Sequence, residues 1–121
     1  MKVEKVDFVS VLTQNIAGAK KFYGETLGLP IETEGDNDME FMLGQVTLDV
    51  FNPASIGQPF VASAAGIAIR VPDVAAARAE LEARGIAFEG ETRDTGVCHM
   101  AFFKDPDGNQ LMLHRRYAPR D

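Results

Sequence analysis

Apolar residues recur along the 121-residue chain with two different periods, and the switches between them mark out its elements. Val3, Val6, Val9 and Val11 sit among charged or polar neighbours, which predicts a half-buried strand running to about Leu12. Asn15 then stands where a helix needs an N-cap. Ile16, Ala19, Phe22, Tyr23 and Leu27 follow at helical spacing, and Gly28 ends the helix where a left-handed residue is wanted. "LPIETE", "MEFMLG" and "QVTLDVF" read as three strands, with "GDND" a turn between the first two. "NPASIGQPF" is a Pro/Gly/Ser connection, after which the pattern restarts. "GIAIRVPD" is a strand running into a helix that carries Val74, Ala77 and Leu81 and stops at Gly85; "IAFEGE", "CHMAFFK" and "NQLMLHRR" are three more strands.

Superposing the halves sharpens the restart. Residues 8–15 overlie 66–73, so the two helix caps, Asn15 and Asp73, coincide, and Ala17 and Ala19 meet Ala75 and Ala77. With one residue dropped after Thr26, Gly28 meets Gly85 and Glu32 meets Glu89. The reading is α+β, a single domain over residues 1–121 built of two tandem βαβββ modules: the first about residues 1–52, a linker about 53–63, and the second about 64–117. The alternative is one α+β domain whose halves are alike by coincidence.

Composition narrows the function. A net charge of −6 argues against nucleic acid, which needs a basic face, and tolerates a cationic or neutral small molecule. Cys98 is the only cysteine, so no intramolecular disulfide forms, and a cytoplasmic location is the simpler expectation. Charges at Lys2, Glu4, Lys5 and Asp7 interrupt the start of the chain, and neither a signal peptide nor a membrane span is expected. No Gly-rich phosphate loop or Ser-centred nucleophile motif is present.

"DPDGN" is a turn with a mechanism: Asp105 accepts from the turn backbone, Pro106 fixes φ, and Gly108 takes a positive φ. Together with "FYGETLGL" (22–29), "AFFKDPDGN" (101–109) and the duplicated βαβββ order, it resembles the vicinal oxygen chelate superfamily. That superfamily includes glyoxalase I, bleomycin- and fosfomycin-resistance proteins, and extradiol dioxygenases. The resemblance implies a cup-shaped mixed sheet with helices outside, a cleft enclosed by the paired halves, and a homodimer. It also implies, in metal-dependent members, a His, Gln or Glu ligand on the first and fourth strands of each half. Here those positions carry Phe8, Gly66 and Met112, with Asp49 the fourth, or Leu48 or Thr47 after a one-residue slip. Phenylalanine and glycine offer no side-chain donor and a thioether is a poor ligand for a divalent first-row ion, so no metal and no cofactor is expected.

Strand parity, taken from Phe8 facing the cleft, puts Ser10 and Leu12 beside it and Val9 and Val11 under a helix. The same rule assigns Asp49 with Phe51, Gly66 with Ala68 and Arg70, and Met112 with His114. The superfamily pattern puts Met100 and Phe102 on the cleft side, with His99 facing away. The expected ligand-binding residues are therefore Phe8, Ser10, Asp49, Phe51, Arg70, Met100, Phe102, Met112 and His114, a soft apolar lining with few polar groups. Core filling is the competing use of Phe8, Met100, Phe102 and Met112. Three functions stay open: a metal-free small-molecule-binding protein, of the drug-sequestering kind; a superfamily enzyme with displaced ligands such as Asp49, His99 and His114; and a metal-free enzyme in which Asp49 or His114 moves a proton. Cys98 reads as a small buried residue and "RRYAPRD" as a frayed tail.

Overall fold

The computed structural model describes residues 1–120. In chain order it has β1 (Phe8–Leu12), α1 (Ile16–Lys20), β2 (Ile31–Glu34), β3 (Asp38–Leu43) and β4 (Val46–Phe51). Then come β5 (Ile67–Arg70), α2 (Val74–Ala83), β6 (Phe88–Asp94), β7 (Cys98–Lys104) and β8 (Gln110–Arg116). The chain divides into two compact units, Met1–Ala62 and the part from Ser63 onward. Each holds one βαβββ module and one four-stranded mixed sheet, ordered β1-β4-β3-β2 and β5-β8-β7-β6. In both, the first strand runs parallel to the fourth and the rest of the ladder is antiparallel.

The helix boundaries follow from their caps. Asn15 Oδ1 accepts from Gly18 N at 3.0 Å, and Asp73 Oδ1 from Ala76 N at 3.0 Å, each satisfying a donor that the first turn leaves without a partner. Gly28 (φ 72°) and Gly85 (φ 91°) close them in the left-handed region, where Leu29 N donates back to Tyr23 O and Ile86 N to Leu81 O. Within the first helix one difference from the sequence expectation appears. After Lys20 it widens into a π-helical turn, residues 21–26, in which Leu27 N donates to Phe22 O. Phe22 and Tyr23 are both buried there; Tyr23 lies 5.1 Å edge-to-face from Phe22 and 5.8 Å from Phe41 of β3.

The first strand is shorter than its valines predict. Val3 and Val6 lie outside any element and are 74% and 57% exposed. Phe8 is already opposite Thr47, and β4 begins only one residue earlier, after the Gly44 turn, so residues upstream of Phe8 have almost no strand to pair with. The 105–109 turn forms as the sequence indicates: Asp105 Oδ1 accepts from Asp107 N (3.0 Å) and Asn109 N (2.8 Å), and Gly108 has φ 90°. Asn109 is fully buried; its amide donates to Asp105 Oδ2 at 2.8 Å while its Oδ1 accepts from Ser63 N at 2.9 Å, tying the entry of the second module to its last hairpin. The tail is held further than a frayed end. Tyr117 N and Ala118 N donate to Val97 O, and the Tyr117 hydroxyl donates to Asp94 Oδ1 at 2.8 Å.

Candidate functional site

Strand parity gives each sheet one face covered by helix and one left open. In the first module Val11, Met39, Phe41, Leu48 and Val50 are buried on the helix side, while Val9, near the start of the edge strand, stays partly exposed. Alternate residues form the open face. Across it, one row reads Ser10, Asp49, Glu40 and Thr33, and the next reads Leu12, Phe51 and Asp38. Because Ser10 pairs with Asp49 as Ala68 pairs with Met112, Asp49 and Met112 are equivalent positions of the two modules, without the one-residue slip.

On this open face lies a pocket of about 440 Å³ lined by Phe8, Asn37, Asp38, Asp49, Phe51 and Ser55. The Ser10 hydroxyl donates to Asp49 Oδ2 at 3.4 Å, and Thr33 Oγ1 donates to Glu40 Oε1 at 2.7 Å. Burial raises the Asp49 pKa above its ordinary value, and the negative charges of Asp38 and then Glu40 push it the same way, with the Ser10 hydroxyl opposing them. Two phenyl rings and the Asp49 and Asp38 carboxyl groups give the pocket an apolar surface with an acidic edge. Three lining residues escaped the sequence reading. Asn37 and Asp38 belong to what reads as the "GDND" turn. Ser55 is set by a short 3₁₀ turn, Pro53–Ile56, whose cap Asn52 accepts from Ala54 N. An Asn-Pro pair is a helix-entry signal, so this turn could have been found.

In the second module Ala101, Phe103, Leu111 and Leu113 are buried toward α2, and the open face carries two rows, Ala68–Met112–Phe102–Glu89 and Arg70–His114–Met100–Arg93. Four expected site residues thus stand together in the first module (Phe8, Ser10, Asp49, Phe51) and five in the second (Arg70, Met100, Phe102, Met112, His114). The carboxylate and the imidazole considered as a catalytic pair, Asp49 and His114, belong to different modules. His99 faces away from the Met100 face: its Nε2 is 3.4 Å from Asp94 Oδ2, and its ring lies against Tyr117 with centroids 4.8 Å apart. The Gly96 N–H and then the Tyr117 hydroxyl hold the Asp94 pKa below its ordinary value. Cys98 is buried.

The four positions at which the superfamily resemblance implies metal ligands do not fit an ion. Phe8 and Gly66 contribute no donor, Met112 only a thioether, and Asp49 a single carboxylate. Gly66 precedes β5 with φ 76°, a backbone conformation that strains any side chain, and a Cβ built there would only touch Met112 Cε at 3.4 Å, so the position suits glycine as well as lacking a donor. Among the described residues no group of three or more His, Cys, Asp or Glu side chains is placed to hold a metal.

Tandem βαβββ modules, each with a first strand parallel to the fourth and an open sheet face, define a glyoxalase-like protein. The sequence matches the model of the Glyoxalase/Bleomycin resistance protein/Dioxygenase superfamily over residues 5–113, and the chain belongs to that superfamily. Among solved structures it is similar to TnmS3, an antibiotic binding protein from Streptomyces sp. CB03234, at 28% identity and a TM-score of 0.78, covering 96% of this chain and 98% of that one. A glyoxalase/bleomycin resistance protein from the same Streptomyces is 27% identical with a TM-score of 0.74, covering 92% of this chain and 100% of that one. A lactoylglutathione lyase from Agrobacterium tumefaciens shares the fold at 18% identity, with a TM-score of 0.79 and coverage of 93% and 94%. No curated protein matches the chain significantly. No helix among the described residues is long and apolar enough to cross a membrane.

Proposed function

We propose that the protein binds and sequesters a small aromatic compound carrying a positive charge, without a metal ion. The observation that carries the reading is the pocket in which Asp49 stands with Phe8 and Phe51, edged by a second carboxylate, Asp38. Apolar area supplies affinity and the carboxylates orient the charged end; a net charge of −6 draws such a ligand in. Its likeness to an antibiotic binding protein supports the same reading. The poor donor set at Phe8, Gly66, Asp49 and Met112 supports the absence of a metal. We further place the protein in the cytoplasm, in keeping with its single buried thiol, and assign it a homodimer, since each sheet leaves two edge strands to be covered.

Isothermal titration against a panel of cationic, neutral and anionic aromatic compounds tests the function. Saturable heat from cationic members, lost in Phe51→Ala, supports it; no heat from any of them refutes it. Elemental analysis of protein purified without chelators tests the metal, and a stoichiometric content of Fe, Mn, Ni or Zn would overturn the metal-free mode. Light scattering coupled to size exclusion reads the oligomeric state.

A further inference from the structure

We infer that residues 117–120 are a strap across the end of the second sheet, gripped more tightly when His99 gains a proton. Asp94, His99 and Arg115 form one row across β6, β7 and β8, on the face that carries Phe103 and Leu113 rather than on the open one. The chain leaves β8 at Arg116 and turns back over this row. Tyr117 N and Ala118 N donate to Val97 O at 3.0 and 3.2 Å, and the Tyr117 hydroxyl donates to Asp94 Oδ1 at 2.8 Å. The Tyr117 ring lies on the His99 imidazole, centroids 4.8 Å apart and planes 32° from parallel, while His99 Nε2 is 3.4 Å from Asp94 Oδ2. One tyrosine thus meets both members of a carboxylate–imidazole pair.

The hold is closely balanced. Pro119 O accepts from Arg116 Nη2 at 3.2 Å, but the Nε of the same guanidinium is buried with no acceptor among the described residues. A buried donor without a partner costs roughly what one or two hydrogen bonds contribute. Of the three grouped side chains, only an imidazole changes charge between pH 5 and 8. The Gly96 N–H and then the Tyr117 hydroxyl hold the Asp94 carboxyl below its ordinary range, and the bond to Asp94 raises the Tyr117 phenol, so both keep one form throughout. Protonation of His99 creates a charge pair with Asp94 and sets a cation on the face of the Tyr117 ring. That ring contact exists only while the strap is down, so protonation and docking favour each other. The surrounding charges do not choose between a docked and a released strap. Arg115, the register partner of His99, opposes its protonation in both, and Cys98 is on the opposite face of β7. On α2, Asp73 is engaged with Ala76 N, Arg78 with Glu82 and Thr92, and Arg84 with Glu80. The added hold is complete below the range in which imidazole titrates and is lost as pH rises through it. Nothing in the strap depends on a ligand at either open face.

Hydrogen exchange of the Tyr117 and Ala118 amides, followed by NMR on the full chain between pH 5 and 8 and corrected for the intrinsic rate at each pH, tests the strap. Protection should rise about two- to fivefold from the alkaline to the acid end, the size of a cation–ring contact at an exposed site. In His99→Gln, which keeps a donor for Asp94 without the charge, and in Tyr117→Leu, which removes the ring, protection of the Ala118 amide should not vary with pH. The His99 side chain is 43% exposed and Tyr117 is 50% exposed, so circular dichroism of both variants should match that of the parent. Protection that is flat in the parent, that falls toward acid, or that keeps its pH dependence in either variant would overturn the strap.

Discussion

Replacing Asp49 with asparagine should make the protein more stable and a poorer binder. The amide keeps the size of the side chain and an acceptor for the Ser10 hydroxyl, now 3.4 Å from Asp49 Oδ2. It removes a negative charge that faces Glu40 directly across the β3–β4 ladder and Asp38 on the diagonal. Like charges directly opposite each other cost roughly 0.2–1 kcal/mol, and the diagonal pair adds a smaller, screened amount. A gain of about 0.5–1 kcal/mol at pH 7 follows, or about 2–4 °C in melting temperature for a chain of this size. The effect depends on pH in a definite direction. Burial, Asp38 and Glu40 raise the folded-state pKa of Asp49 above 3.8, so folding favours its protonated form. The parent therefore loses stability relative to Asp49→Asn as pH rises through the raised value, and the two converge as pH falls toward 3.8. Urea titrations at pH 7 and near pH 4, with binding of a cationic aromatic compound measured in parallel, give both halves of the expectation. If Asp49→Asn is less stable than the parent at pH 7, the carboxylate serves the fold through Ser10, and the argument for a strained binding group fails.

The other predictions concern the fold and the tail. Asn109→Ala strips the acceptor from Ser63 N and a donor from Asp105 Oδ2 inside a buried turn; a loss of about 2–4 kcal/mol should lower the urea midpoint, and a loss under about 0.5 kcal/mol would contradict the assigned network. Gly66→Ala places a Cβ at φ 76° and 3.4 Å from Met112 Cε; about 1–2 kcal/mol should be lost, and an unchanged melting temperature would show that the backbone there relaxes freely. Tyr117→Phe removes one donor to Asp94, so the Asp94 carboxyl should titrate at higher pH by NMR while staying below its ordinary value, because the stronger Gly96 N–H contact remains.

Elements set by local chemistry are legible in the sequence. The caps Asn15 and Asp73, the stops Gly28 and Gly85, and the Asp105–Gly108 turn each name their own backbone conformation, and the duplication then carries strand order from one half to the other. Features settled by neighbours far along the chain are not. Val3 and Val6 have the pattern of a strand but lack the partner, because β4 has run out of residues at that level. The π-helical turn leaves no periodic trace, since one added residue in a turn looks like ordinary scatter in apolar spacing. Asn37, Asp38 and Ser55 reach the pocket from turns, where parity gives no direction, although β3 parity would include Asp38 once the strand is known to begin there. The grouping of Arg93 with Arg70 and His114 needed the register of β6 against β7, which a bulge between Glu89 and Arg93 hides from any count along the strand.

The equal register of the two sheets has a consequence for how such a protein can change. Phe41 and Phe103 face Leu48 and Leu111 across their ladders, all four fully or almost fully buried, whereas one step over Glu40 and Asp49 stand where Phe102 and Met112 stand. Interior and exterior are thus carried by alternate letters of the same strands. Exchanging only the outward letters, for instance Asp49→Met together with Met112→Asp, leaves the inward set untouched, so one half can be rewritten for a new compound while the other keeps its own.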